Sequence, residues 1–340
     1  MIRLENDYTT AVHPEILARL SSTNLDRMPG HCNDDYCKRA AVLIKKACNK
    51  EDVDVHFMVG GTIANLTIIA ASLRPHEAVV SANTGHIFTS ETGAIEATGH
   101  KVLTVNSVNG KMIPEDVRNV FVKAKKVSAP KPGMIYLSQS TERGTVYSLA
   151  ELKALRAIAD EFNVPLFIDG ARLGYALASP HGDATLADIA SLCDVFYIGG
   201  TKVGAMFGEA VVISNPKIKE DFKYIMKQKG ALLAKGRLLG LQFEVLFENG
   251  LYHRISKYAV DVAQKMSTAL TTAGYELIYP VMGNQIFVKL PNKVYDQLAK
   301  SFSFKLWQQE EDYVIARFCT DWSTTNEHVE TFIEKIKKQS

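Results

Sequence analysis

What this sequence has little of narrows its functions first. Its five cysteines (Cys32, Cys37, Cys48, Cys193 and Cys319) are odd in number and scattered, with no CxxC pair. That spacing fits neither a disulfide framework nor a zinc knuckle, and it suits a reducing cytoplasm. The net charge of +2 is too small to mark a dedicated polyanion partner. The densest basic stretch, Lys123, Lys125, Lys126 and Lys131, has no interleaved aromatic residues. It reads as a solvated helix end, so no nucleic-acid partner is expected. No apolar run approaches the ~20 residues needed to cross a bilayer, and Met1–Asp7 is charged rather than apolar. The expectation is a soluble, cytoplasmic protein without a membrane partner. Repeats and low-complexity stretches are missing, as is any ligand cluster that suggests a metal. The chain also lacks GxGxxG and the Walker lysine, which weakens dinucleotide and ATP readings.

What is present is length and core. The 340 residues, 46% of them hydrophobic, can fill two domains. Short β-rich runs alternate with helical patterns through the middle of the chain. Strands are expected at Val55–Val59, Ala78–Ser81, Lys101–Val105, Met134–Ser138, Val164–Ile168, Val195–Ile198 and Glu209–Ser214. Helices are expected at Thr62–Leu73, Glu91–Thr98 and Pro114–Lys125, and at Leu152–Phe162 behind a capping box of Ser148 and Glu151. This alternation predicts an α/β fold with an open, mostly parallel sheet whose ligands lie beyond the carboxyl ends of the strands. After Pro216 the pattern changes to long helices over 216–229, 232–249 and 251–273. Strand patterns at Tyr275–Ile278, Gln285–Leu290, Phe302–Trp307 and Tyr313–Phe318 follow, and a final helix at Glu327–Lys338. The expected division is a large unit over 1–250, with an N-terminal arm, and a smaller α+β unit over 251–340.

Three motifs fall just after expected strands. Gly60-Gly61-Thr62 opens a helix, where glycine admits an anion to the free N–H groups and Thr62 adds a hydroxyl; an ordinary capped turn has the same residues. Asp169-Gly170-Ala171-Arg172 puts a carboxylate at the end of a buried strand, which is costly without a positive partner. That partner is either a protonated pyridine nitrogen or Arg172 itself. Arg172 in turn is a fork for a phenolate oxygen or a substrate carboxylate. Gly199-Gly200-Thr201-Lys202-Val203-Gly204 holds a lysine among small residues, where desolvation lowers its pKa and frees the amine for Schiff-base chemistry. The rival reading is a solvated loop lysine. Together and in this order, a phosphate cup, a ring-nitrogen acid and a lysine suit one ligand, pyridoxal 5'-phosphate (PLP).

Further runs match a known family in order along nearly the whole chain. They are Leu4-Glu5-Asn6-Asp7-Tyr8, Gly61-Thr62-Ile63-Ala64-Asn65-Leu66, Gly85–Ala94, Thr141–Tyr147, Asp169–Arg172, Gly200-Thr201-Lys202, Gly208-Glu209-Ala210 and Ala316-Arg317-Phe318-Cys319. With them the chain resembles the low-specificity threonine aldolases of the aromatic amino-acid β-eliminating lyase superfamily, PLP enzymes of fold type I. The resemblance implies that Lys202 bonds PLP as a Schiff base, with Thr201 beside it, and that Asp169 binds the pyridine nitrogen. It also implies that Gly61 and Thr62 hold the phosphate and His86 stacks on the ring. Asn6, Arg172 and Arg317 would surround the carboxylate of an amino-acid substrate. It further implies a homo-oligomer, a dimer or a tetramer built from dimers, in which Lys227 and Lys235 reach the neighbour's phosphate. The better-studied bacterial relatives have histidine where this chain has Glu142. The base acting on the substrate hydroxyl is therefore open between Glu142, His86 and a water.

The implied reaction is retro-aldol cleavage of a β-hydroxy-α-amino acid to glycine and an aldehyde. The alternatives are β-elimination to pyruvate and ammonia, transamination, a non-catalytic PLP carrier, and a nucleotide-binding α/β protein without PLP.

Overall fold

The structure, a computed structural model, describes residues 1–339 apart from Lys125. Its main sheet has seven strands in the order Asp54–Met58, Glu209–Ile213, Val195–Gly199, Leu166–Asp169, Lys131–Ser138, Glu77–Ala82, Val102–Val105. All neighbours are parallel except Glu209–Ile213, which runs against both of its partners. The central strands are buried along their whole length, which is why their sequences are apolar runs without alternation. Period-2 geometry still sorts their side chains. Tyr136, Phe167 and Tyr197 enter the core on one face, and Leu137, Ile168, Phe196 and Ile198 the core on the other.

A third core lies between an antiparallel sheet, Gln285–Pro291, Tyr313–Cys319 and Lys305–Gln309, and the helices Leu251–Thr272 and Asn326–Lys337. The N-terminus is tied to this part. Ile2–Arg3 pairs in parallel with Phe302–Ser303, and Cys319 N donates to the Leu4 carbonyl at 2.8 Å. These bonds bring Asp7 to the carboxyl edge of the main sheet, where Arg172 waits. No helix of the described residues is long and apolar enough to cross a membrane.

Several expected elements differ. Glu91–Thr98 is not a helix: Thr92 and Gly93 take left-handed φ of 54° and 73°, and only Glu96–Thr98 makes a single tight turn. The helix expected over 216–229 is two, broken at Asp221 with φ 56°. The next helix starts at Arg237 rather than 232, because the Ala234 carbonyl accepts from His31 N–H outside any helix. Tyr275–Ile278 contributes a single bridge, Leu277 to Val288. The helix from Pro114 ends at Lys123; Lys125, part of both that helix and the basic stretch, lies outside the described residues. The capping box of Ser148 and Glu151 forms as expected and opens Leu149–Glu161.

Candidate active site

Asp169 is the last residue of its strand and is 3% exposed. The next residue must be small: a Cβ on Gly170 would lie 1.7 Å from the Tyr197 carbonyl oxygen. Asp169 Oδ2 accepts from Tyr136 Oη at 2.6 Å and Asn65 Nδ2 at 3.0 Å, and Oδ1 accepts from Ala171 N at 3.0 Å. Burial alone would raise its pKa. The charge of His86 and the hydroxyls of Tyr136 and Tyr197 outweigh burial and hold it ionised, below its ordinary value.

Asn65 connects this carboxylate to a second. It sits one turn into the helix Gly61–Ser72 and donates also to Glu91 Oε1 at 2.8 Å. Glu91 Oε1 in turn meets His86 Nδ1 at 2.9 Å. Burial works against a charged His86, but the Glu91 bond and the negative charges of Asp169 and Glu91 prevail and raise its pKa. Gly61 and Thr62 begin the Asn65 helix, and no side chain caps its first N–H groups. The helix start, the His86 ring and Asp169 are thus linked through one buried amide.

Lys202 follows the strand Val195–Gly199 in a tight loop, with Val203 N and Ala205 N both donating to the Gly200 carbonyl. Its own carbonyl accepts from Tyr175 Oη at 2.5 Å. Burial first, and the Arg172 cation second, lower the pKa of its amine. The Thr201 hydroxyl donates to Glu209 Oε1 at 2.9 Å and accepts from Gly208 N at 2.9 Å. Glu209 also accepts from Gly200 N at 3.0 Å, so a buried carboxyl braces the lysine loop.

Burial pushes the pKa of Glu209 up to about 8, with the Lys202 charge and its hydrogen bonds only partly offsetting it. An unfolded glutamate titrates at about 4.3. Between those values the folded state holds the extra proton, so this residue's contribution to stability falls as pH rises through that window. Glu209→Gln has no such proton to lose. Its melting temperature relative to the wild type is expected to rise between pH 5 and pH 8, and a pH-independent difference would exclude this account.

Arg172 is held by a partner remote in sequence. Its Nε and Nη2 donate to Asp7 Oδ2 and Oδ1 at 2.7 and 2.9 Å, a two-pronged ion pair with Asp7 fully buried. The expected alternative of a pair with Asp169 does not hold: two of the Arg172 donors go to Asp7, while the residue still lines the cavity of the site. Asn284 Nδ2 adds a bond to Asp7 at 2.9 Å. Asp7→Ala strands a buried guanidinium and is expected to cost about 3–5 kcal/mol in chemical denaturation; a loss below 1 kcal/mol would mean that Arg172 finds water instead.

A cavity of about 490 Å³ opens over these groups, lined by His86, Glu142, Arg143, Arg172, Lys202 and Arg317 among others. Glu142 Oε1 accepts from Ser138 Oγ at 2.5 Å and from His86 N at 2.9 Å. Burial and the nearby Asp169 charge raise its pKa, against those hydrogen bonds and His86. Arg317 donates to Gln285 Oε1 at 3.3 Å and to the Glu5 carbonyl at 2.9 Å. Asn6 does not line the cavity; its Oδ1 accepts from Tyr8 N at 3.0 Å in a local turn, and Tyr8 lines the cavity instead. Lys227 and Lys235 are exposed and lie outside it. Asp7, Asn65, Glu91, Glu209 and Arg143 are site residues that sequence reasoning passed over. All five stand inside or beside the matched motifs, which is the signal that was there to use.

These groups fit PLP. Asp169 is a buried carboxylate held ionised, a suitable partner for a protonated ring nitrogen; the uncapped helix start at Gly61 and Thr62 suits a phosphate; and the desolvated Lys202 amine suits an aldehyde. With the sheet topology, they place the chain among the fold type I PLP-dependent enzymes.

The chain belongs to the beta-eliminating lyase family, whose model matches residues 6–293. It is similar to a low specificity L-threonine aldolase from a Pseudomonas species, 32% identical over 336 residues, which cover 98% of this chain and 96% of that one. A solved threonine aldolase from Leishmania major superposes with a TM-score of 0.98 at 40% identity, covering 100% of this chain and 99% of the other. Aspartate aminotransferase from Thermus thermophilus shares the fold alone, with a TM-score of 0.71 at 14% identity over 99% of this chain and 91% of that one.

Proposed function

We infer that this protein is a PLP-dependent carbon–carbon lyase of the threonine-aldolase type. It splits L-threonine, L-allo-threonine or a related β-hydroxy-α-amino acid into glycine and an aldehyde. The observation that carries this reading is Glu142, a carboxyl with raised proton affinity in the same cavity as Lys202 and the guanidinium groups Arg172 and Arg317.

When bound, PLP supplies an electron sink for the pair left on Cα as the Cα–Cβ bond breaks. The chain's own residues do the rest. Burial and the Arg172 cation favour the neutral Lys202 amine, the form that attacks a carbonyl carbon. Asp169, kept ionised, holds a cationic partner in place. Arg317, with Arg172, takes the substrate carboxylate and fixes the amino acid's orientation. Glu142, oriented through Oε1 by Ser138 and His86 N–H, accepts the β-hydroxyl proton. The His86 ring, held by Glu91 through Nδ1, would stack on the cofactor ring.

The same reading includes a cytoplasmic location and an oligomer, a dimer or tetramer, in which exposed Lys227 and Lys235 serve a neighbour's phosphate. It also keeps the division into a 1–250 cofactor-binding unit and a 251–340 unit. The helix Leu251–Thr272 begins after Gly250, at φ 66°, which supports that boundary. The test is product analysis with PLP and each threonine diastereomer: glycine and acetaldehyde in equal amounts are expected, and pyruvate with ammonia would replace the reading with β-elimination.

A further inference from the structure

The cavity carries more positive charge than an α-carboxylate needs. Apart from Lys202, its lining includes Arg143, Arg172, Lys305 and Arg317 against the single acid Glu142. Asp7 satisfies Arg172, and Gln285 with the Glu5 carbonyl engages Arg317. Arg143 differs in one respect: among the described residues its guanidinium forms no hydrogen bond and no ion pair, and its Nη1, like Arg317 Nε, is buried without a partner.

The Arg143 side chain is nevertheless held in place. Its guanidinium carbon lies 4.9 Å from the Trp307 ring centroid and 5.4 Å from that of Tyr279. Its stem packs on the Ser107–Met112 hairpin, where a Cβ on Gly110 would come within 3.1 Å of Arg143 Cγ. Stacking on aromatic rings fixes a guanidinium without using its N–H donors. A fixed, partly desolvated cation with an idle donor is costly unless an anion completes it. Trp307 already faces three cations, with Lys305 at 5.2 Å and Arg317 at 5.6 Å, so an incoming aromatic ring would compete with them whereas an anion would not.

Arg143 is the immediate neighbour of Glu142, the group assigned to the β-hydroxyl. We propose that Arg143 sets specificity for β-hydroxy-α-amino acids whose side chain ends in a carboxylate. The proposal rests on the aldolase reading above and names its substrate class.

The test compares glycine release from 3-hydroxyaspartate, L-threonine and β-phenylserine by the wild-type holoenzyme, Arg143→Met and Arg143→Lys. The readout is kcat/KM for hydroxyaspartate divided by kcat/KM for threonine. The wild type is expected to favour hydroxyaspartate. Arg143→Met should lower the ratio about 10–100-fold, mainly through KM, as loss of a charged hydrogen bond does. Arg143→Lys, which keeps the charge without the fork, should fall between. Succinate should also inhibit wild-type threonine cleavage more strongly than acetate, a readout that needs no variant. A ratio unchanged in Arg143→Met, succinate no better than acetate, or a wild-type preference for phenylserine would each overturn the proposal while leaving the aldolase reading intact. Glycine from none of the three substrates would defeat the aldolase reading itself, and the proposal with it.

Discussion

Replacing Glu142 by glutamine is expected to lower kcat for aldol cleavage by about 10²–10⁴-fold, the range for loss of one positioned acid–base group. Glutamine keeps the size of the side chain, and its amide oxygen can still accept from Ser138 and His86 N–H, so the site geometry should persist. What it cannot do is take a proton. Burial and the Asp169 charge raise the pKa of Glu142. A base works only when ionised, so wild-type kcat should fall on the acid side at a pH above the usual carboxylate range. Glu142→Gln should lack that limb. A pH–kcat profile from pH 5 to pH 9 on both proteins checks this. If the variant keeps both kcat and the acid limb, the proton goes elsewhere, to His86 or a water.

Lys202→Ala is expected to abolish lyase activity altogether and to leave any retained PLP non-covalent. The reason is local. Burial and the Arg172 cation lower the pKa of the Lys202 amine. The other lysine of the cavity, Lys305, is exposed on its strand. The fold should survive, because among the described residues the Lys202 amine makes no ion pair that the substitution would break, and burial already disfavours its charge. Activity, the visible absorbance of the cofactor and circular dichroism together separate the outcomes. Residual turnover within about 100-fold of wild type would assign the amine's role elsewhere, since a lost nucleophile ordinarily costs far more.

The strand ends were legible because their signals are local. Apolar runs without alternation mark strands buried on both faces, and the residue after each run is where ligands bind. Asp169, next to Gly170, and Lys202, two residues after Gly200, stand out this way, and close contacts require both glycines. The electrostatic frame was less legible because its partners are distant in sequence. Asp7 reaches Arg172 only because Ile2–Arg3 pairs with Phe302–Ser303 at the other end of the chain. Glu91 was placed in a helix, yet left-handed backbone at Thr92 and Gly93 ends that pattern, and its buried carboxylate serves His86 and Asn65 instead. The bond from the Thr201 hydroxyl to Glu209 is of the same kind, since composition does not place that carboxyl beside the lysine loop.

The site's chemistry depends on one covalent attachment, and borohydride reduction of the holoenzyme followed by peptide mass mapping reads it directly. A single pyridoxyl group is expected, on Lys202. A pyridoxyl group on any other lysine, or none on a protein that binds PLP and cleaves threonine, would contradict it.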